Sequence, residues 1–121
     1  MAGALAQRRA VVTGGAGGMG RAHALRLARL GADVAILDLD LDVAKQWNEE
    51  LTAPTVAEEI EALGVESMAI EVDITDAAAT EAAIASIASK WSAIDILVNN
   101  AGGAITPVSY THLTLPTNRE V

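Results

Sequence analysis

The stretch Val11-Val12-Thr13-Gly14-Gly15-Ala16-Gly17-Gly18-Met19-Gly20, with Asp38 eighteen positions beyond Gly20, decides how this chain is read. An apolar strand runs into a glycine-rich turn, the turn opens a helix, and an acid closes the next strand. Glycines let the backbone turn tightly and come close to a pyrophosphate, where a side chain would collide. The first N–H groups of the helix have no intrahelical partner and sit at the positive end of its dipole, facing negative phosphates. The position of Asp38 is near the ~20-residue spacing of the acid that binds an adenosine ribose. Taken alone, Gly15-x-Gly17-x-x-Gly20 also suits a tight turn in another α/β protein. The strand before it, the helix after it and the acid on the second strand point to a dinucleotide.

The rest of the composition narrows the class. A chain of 121 residues holds at most one domain. Hydrophobic residues make up 51%, which excludes disorder, and with no Phe the core must be aliphatic and alanine-rich. A net charge of −8 argues against nucleic acid or an anionic membrane as partner, since both need a basic face. Without cysteine there is neither disulfide nor thiolate chemistry. The apolar run after Arg8-Arg9 stops at Thr13, too short for an export signal, and nothing approaches the ~18 apolar residues of a membrane helix. A soluble, cytoplasmic protein is expected.

Strands and helices alternate along the chain. Expected strands are Ala10–Val12, Asp33–Leu37, Ser67–Val72 and Ile94–Val98. Met19–Leu30 is expected as a helix with Ala22, Leu25, Ala28 and Arg29 on its inner stripe and Gly31 as its stop. Leu41 to Leu63 reads as a long helical region broken at Pro54. There Thr55-x-x-Glu58 forms a capping box, Val56, Ile60 and Leu63 share one side, and Gly64 ends the helix. The charges of this long connection read as a solvated face. Asp76–Trp91 is an alanine-rich helix with Ile84, Ile87 and Trp91 on one face, Trp91 serving packing. His23 is a surface or packing residue, and no His, Asp or Glu cluster has metal-ligand spacing. This rhythm means an α/β fold: a Rossmann-like, doubly wound parallel sheet with helices on both faces.

With these residues placed, the chain resembles the N-terminal half of a short-chain dehydrogenase/reductase of the classical type, over about residues 7 to 107. Thr13-Gly14-x-x-x-Gly18-x-Gly20 matches the family's cofactor loop. Asn99-Asn100-Ala101-Gly102 matches its hallmark after the fourth strand, and Asp73 ends the third strand where the family commonly has an acid beside the adenine. The resemblance implies a cofactor site made of Gly14, Gly15, Ala16, Gly17, Gly18, Met19, Gly20, Asp38, Leu39, Asp73, Ile74, Asn99, Asn100, Ala101 and Gly102. Gly14 to Met19 are to wrap the pyrophosphate, and Asp38 is to accept both ribose hydroxyls. A carboxylate there repels a 2′-phosphate, and Gly15, Ala16, Gly17 and Leu39, where NADP users place a base, are all neutral. The implied cofactor is NAD. Asp73 reads either as the adenine-side acid, with Ile74 beside it through its backbone, or as a turn or capping acid before the Asp76 helix. Asn99 and Asn100 read either as turn formers or as residues fixing backbone and ribose.

Family members act on alcohols or carbonyls with a Tyr-x-x-x-Lys pair, the Tyr being the general acid/base. Here the only tyrosine is Tyr110, Thr114 stands four residues later, and the only lysines are Lys45 and Lys90. No catalytic residue is therefore assigned, and the chain as given is expected to be inactive. The resemblance also implies a parent enzyme that is a homo-oligomer with a small alcohol or carbonyl substrate. Two other readings stand beside this one. One is a non-catalytic dinucleotide-binding module. The other is an NAD-dependent sugar-nucleotide epimerase or dehydratase of the extended branch, whose usual Gly-x-x-Gly-x-x-Gly spacing this loop lacks. The segment Val108-Ser-Tyr-Thr-His-Leu-Thr-Leu-Pro-Thr117 reads as the translation of a transposase-type sequencing-library adapter. The expectation is an NAD-binding part over residues 1–107 and a non-native tail over 108–121. With the family's strand order 3-2-1-4, Ile94–Val98 becomes an apolar edge that only Asp95 guards against pairing.

Overall fold

The computed structural model describes residues 3–100, so Ala101, Gly102 and the 108–121 tail lie outside the described residues. Four strands, β1 (Arg9–Thr13), β2 (Asp33–Asp38), β3 (Ser67–Glu71) and β4 (Ile96–Asn99), form one sheet in the order β3-β2-β1-β4. All three pairings are parallel, and Val11 sits between Ala35 on one side and Leu97 on the other. The helices are α1 (Gly18–Arg29), α2 (Val43–Gln46), α3 (Val56–Glu61) and α4 (Ala77–Trp91).

The period-2 alternation of strand side chains sends neighbours to opposite faces, and each face is covered. Ala10, Val12, Val34 and Ile36 pack with Ala24, Leu27 and Ala28 of α1 and with Val56 and Ile60 of α3. Val11, Ala35 and Leu37 pack on the other face with Ala83, Ile87 and Trp91 of α4. Ile36 and Leu37 are fully buried, each contributing about 1.5–3 kcal/mol by leaving water. The sheet is doubly wound, as the alternation of elements predicts.

Five expectations are corrected. The inner stripe of α1 is Gly20, Ala24, Leu27 and Ala28, whereas Ala22 and Arg29 are exposed. This i, i+4, i+7, i+8 set faces inward because only a glycine at position 20 can pass the Gly14 carbonyl, which fixes the rotation of the helix. The region from Leu41 to Leu63 is not a long helix: α2 has 4 residues, α3 has 6, and residues 47–55 are neither helix nor strand. Asn48 takes a left-handed conformation (φ 57°) one residue after α2 is capped, and the chain turns toward the glycine loop. Leu63 lies past the end of α3 and is 41% exposed. Ile94 and Asp95 precede β4, and Asp95 does not guard its free edge. Its Oδ2 accepts the Arg9 N–H at 2.9 Å, and its own N–H donates to the Arg9 carbonyl at 2.8 Å.

Local signals were otherwise sound. The Thr55 hydroxyl accepts the Glu58 N–H at 3.1 Å at the start of α3. Asp76 Oδ1 accepts the Ala79 N–H at 3.1 Å at the start of α4. Trp91 is buried against the sheet, with its indole N–H on Glu66 Oε1 at 2.9 Å and the Arg9 guanidinium 5.2 Å from its ring centre. His23 is half-buried on α1.

Candidate functional site

The site lies at the C-terminal ends of β1, β2 and β3, where the crevice of a doubly wound sheet opens. The chain leaves β1 through Gly14, whose N–H donates to the Leu37 carbonyl at 2.7 Å. Gly14 (φ 66°) and Gly18 (φ 56°) both take left-handed conformations, which L side chains rarely adopt. Gly20 is needed for another reason: a Cβ there would stand 1.8 Å from the Gly14 carbonyl oxygen and 2.8 Å from Asn100 Nδ2. The first turn of α1 can pass under the loop only without a side chain at that point.

Two strand ends lock this loop in place. Asp38 Oδ2 accepts the Ala16 N–H at 3.0 Å, and its Oδ1 accepts the Asp40 N–H at 3.3 Å. At the other side the buried Thr13 hydroxyl lies 3.2 Å from Asn99 Oδ1 and accepts the Asn100 N–H at 3.0 Å. Asn100 Nδ2 reaches the Gly14 carbonyl at 3.4 Å. The two asparagines are thus tied, through Thr13 and Gly14, to the end of β1.

A cavity of about 400 Å³ opens between these parts, lined by Gly14, Gly17, Gly18, Met19, Leu37, Asp38, Leu39, Trp47, Val72, Asp73, Ile74, Thr75 and Asn100. Of the residues singled out from sequence, Gly14, Gly17, Gly18, Met19, Asp38, Leu39, Asp73, Ile74 and Asn100 meet on its wall. Gly15, Ala16, Gly20 and Asn99 do not line it; Ala16 is fully buried and gives its N–H to Asp38. Sequence reasoning missed Trp47, which is 59% exposed and stands over the loop: a Cβ on Gly17 would lie 3.1 Å from its Cε3 atom. An isolated tryptophan in an otherwise polar, acidic connection was the one available signal. Thr75 was also missed, two residues after an acid in a turn.

Asp73 has a partner in its own turn. Its Oδ1 accepts the Thr75 N–H at 2.9 Å and the Thr75 hydroxyl at 2.6 Å. Those bonds favour the ionised form and hold its carboxyl below the usual carboxylate range. Among the described residues the cavity wall therefore carries two carboxylates, Asp38 and Asp73, and no cationic side chain. Beside main-chain N–H groups its lining includes the Asn100 carboxamide, the Thr75 hydroxyl and the Trp47 indole, and its apolar surface comes from Met19, Leu37, Leu39, Trp47, Val72 and Ile74. Such a wall suits a ligand with hydroxyls for the acids, a flat apolar ring, and phosphates bound by backbone. No group of three or more metal-ligating side chains occurs among the described residues.

Beside the loop, Arg21 in the first turn of α1 is held by two glutamates. Its Nε and Nη2 donate to Glu59 at 2.9 and 2.7 Å, its Nη1 to Glu49 Oε1 at 3.2 Å, and Nη2 also to the Glu50 carbonyl at 2.8 Å. Glu59 is buried and accepts the Thr52 N–H as well, at 2.7 Å. Burial pushes the Glu59 carboxyl up, but the bonds from Arg21 and Thr52 outweigh it, so the group lies below its ordinary value. Hydrogen bonding to Glu59 raises the Arg21 guanidinium above its own.

Known proteins resemble this chain in sequence and in fold. The family model described as short chain dehydrogenase matches residues 8–117. The chain is 42% identical over 99 residues to a cyclohexanol dehydrogenase of Rhodococcus sp. (strain TK6), covering 79% of this chain and 37% of that relative. Among solved structures, an NAD+-bound xylitol dehydrogenase superposes with a TM-score of 0.70 at 29% identity, over 82% of this chain and 35% of the other. A short chain dehydrogenase from Mycobacterium paratuberculosis bound to NAD gives a TM-score of 0.70 at 30% identity, over 84% and 39%. The chain thus spans little more than a third of the length of these proteins. A four-strand parallel sheet, a Thr-Gly-x-x-x-Gly-x-Gly loop under an acidic second strand end and a match over most of the chain agree: the chain belongs to the short chain dehydrogenase family.

Proposed function

We propose that this chain supplies the cofactor-holding part of an NAD-dependent oxidoreductase that moves hydride between NAD and an alcohol or carbonyl compound. One observation carries the choice of cofactor: Asp38 stands on the wall of a cavity that no cationic side chain lines among the described residues. A ribose diol donates to that carboxylate, whereas a 2′-phosphate meets a like charge with nothing to offset it. The cavity fits the rest of the dinucleotide in kind, with Cβ-free backbone at Gly14, Gly17 and Gly18 for phosphates and Leu39 and Ile74 as apolar walls for an adenine. Bound NAD would supply the hydride acceptor. Asp38 would hold the ribose, Asn100 would brace the loop through Gly14, and Asp73 would stand at the adenine side.

Chemistry at the substrate needs an acid/base that these 121 residues do not offer, since Thr114 rather than Lys stands four residues after Tyr110. A homo-oligomeric enzyme of the cytoplasm is the proposed setting; among the described residues no helix is long and apolar enough to cross a membrane. Calorimetric titration of the chain with NAD and with NADP tests the reading. NAD should bind at least about tenfold more tightly, the effect of one uncompensated charge contact. Binding of neither, or equal binding of both, rejects it.

A further inference from the structure

Helix α1 begins without a cap of its own. Its N-cap, Gly17, has no side chain to accept an N–H, and no acidic residue stands in the first turn. A carboxylate from far along the chain takes that place: the Gly18 N–H donates to Glu49 Oε2 at 2.8 Å. Gly18 is at the same time part of the cavity wall.

The charges around Glu49 do not balance locally. One guanidinium, Arg21, faces two carboxylates. Glu59, 1% exposed, takes it at two nitrogens, at 2.9 and 2.7 Å, while Glu49 holds a single one at 3.2 Å. Arg21 is thus matched mainly by Glu59, and the negative charge of Glu49 is offset by the positive end of α1. A ligand phosphate seeks that same helix end. Two anions cannot share one N–H.

Resting on the dinucleotide reading, we propose that Glu49 sets the affinity of this site: its carboxylate holds the Gly18 N–H as an internal anion, and the pyrophosphate of a dinucleotide must displace it. The Glu49 carboxylate can turn away without opening the core. Its bonds run to Arg21 and Gly18, while its main-chain N–H stays on the Ala44 carbonyl at 2.9 Å and residues 47–55 are neither helix nor strand. Arg21 stays anchored by Glu59 when Glu49 leaves. The penalty falls only on ligands that bring negative charge to Gly18, so it separates phosphorylated ligands from neutral ones that use the ribose and adenine contacts alone.

The experiment is calorimetric titration of the full 121-residue chain, wild type and Glu49→Gln, with NADH, ADP and adenosine, with thermal melts alongside. Glu49→Gln should bind NADH and ADP about tenfold more tightly, the worth of one charge-assisted bond, and adenosine no differently. Glu50→Gln, whose neighbouring side chain is exposed, should change none of the three affinities. Unchanged or weaker NADH and ADP binding by Glu49→Gln overturns the proposal, because a carboxylate serving only as a helix cap loses stability without hindering phosphates. An equal gain for adenosine overturns it too, as general loosening of the site. If neither protein binds any of the three ligands, the dinucleotide reading itself fails and takes this inference with it. A second measurement needs no variant: inorganic pyrophosphate added to the wild type should move the Gly18 amide and the Glu49 carboxyl NMR resonances together. Movement of Gly18 alone overturns displacement.

Discussion

The carboxylate of Asp38 and the amide of Ala16 are joined by a 3.0 Å hydrogen bond that makes the end of β2 and the glycine loop after β1 a single unit. The acid is therefore oriented before any ligand arrives, with its second oxygen also engaged by the Asp40 N–H at 3.3 Å. Each oxygen keeps acceptor capacity for a further donor, and Asp38 stands on the cavity wall.

Replacing Asp38 by Ala together with Leu39→Arg should reverse cofactor preference toward NADP. A repulsion is removed and a charge-assisted pair is gained, so the ratio of dissociation constants should move by about a hundredfold. The same variant leaves the Ala16 N–H without its partner and should lose about 1–3 kcal/mol of stability. Calorimetry with both cofactors and a denaturant titration check the two effects separately. An unchanged ratio contradicts the role given to Asp38.

Gly20→Ala should damage the fold even though alanine is the better helix former. The added methyl would stand 1.8 Å from the Gly14 carbonyl oxygen, which is backbone and cannot swing aside. The expected loss is about 3 kcal/mol, against a propensity gain of about 1 kcal/mol. Met19→Ala, at a side chain that is 70% exposed, should be nearly neutral for stability. Urea unfolding of the two variants side by side measures the contrast.

Acid should weaken the anchor of the β2–α3 connection. The folded-state pKa of Glu59 lies below its ordinary value, so its ion pair with Arg21 stabilises the fold above the usual carboxylate range. That contribution is lost as pH falls through the usual value toward the lower, folded one. Glu59→Ala leaves Arg21 without its main partner and should cost about 3 kcal/mol at neutral pH. The variant should also show a shallower fall in stability below about pH 4.5 than the wild type. Parallel slopes for the two proteins contradict the assignment.

The 121-residue chain should not turn over NAD with any alcohol, since Tyr110 lacks a lysine four residues on and Lys45 and Lys90 both precede it. Absorbance at the NADH band, with the protein-free mixture as reference, is the measurement. Protein-dependent reduction would mean that another group serves as the acid/base.

Much of the fold was legible in the sequence because its signals are local. Val34-Ala35-Ile36-Leu37 is an unbroken apolar run, which suits a strand covered on both faces, and it is β2. Thr55 and Asp76 cap their helices through N–H groups three residues ahead, a geometry set by the helix itself. Periodicity misled where two stripes competed: α1 turns Gly20 and Ala24 inward rather than Ala22, because only a glycine can pass the Gly14 carbonyl and that contact fixes the rotation of the helix. The connection after β2 misled for a different reason. Its helical composition is overridden by contacts to Arg21 and Gly18 that no local window contains.

What the sequence by itself determined is the order of strands and helices, the glycines that the loop needs, and an acid at the end of β2. These follow from backbone preference and from hydrophobic period within a few residues. Only the tertiary structure decided that Asp95 bonds to Arg9 rather than guarding an edge, that Trp47 overhangs the loop, and that Glu49 takes the Gly18 N–H. The longest of these pairs lies 86 residues apart, and the Glu49 pair 31. The partner of a polar group at such separations depends on the path of the intervening chain over the sheet. That path is set by packing of the whole, so the charge of Glu49 could be read from the sequence but its place at the mouth of the site could not.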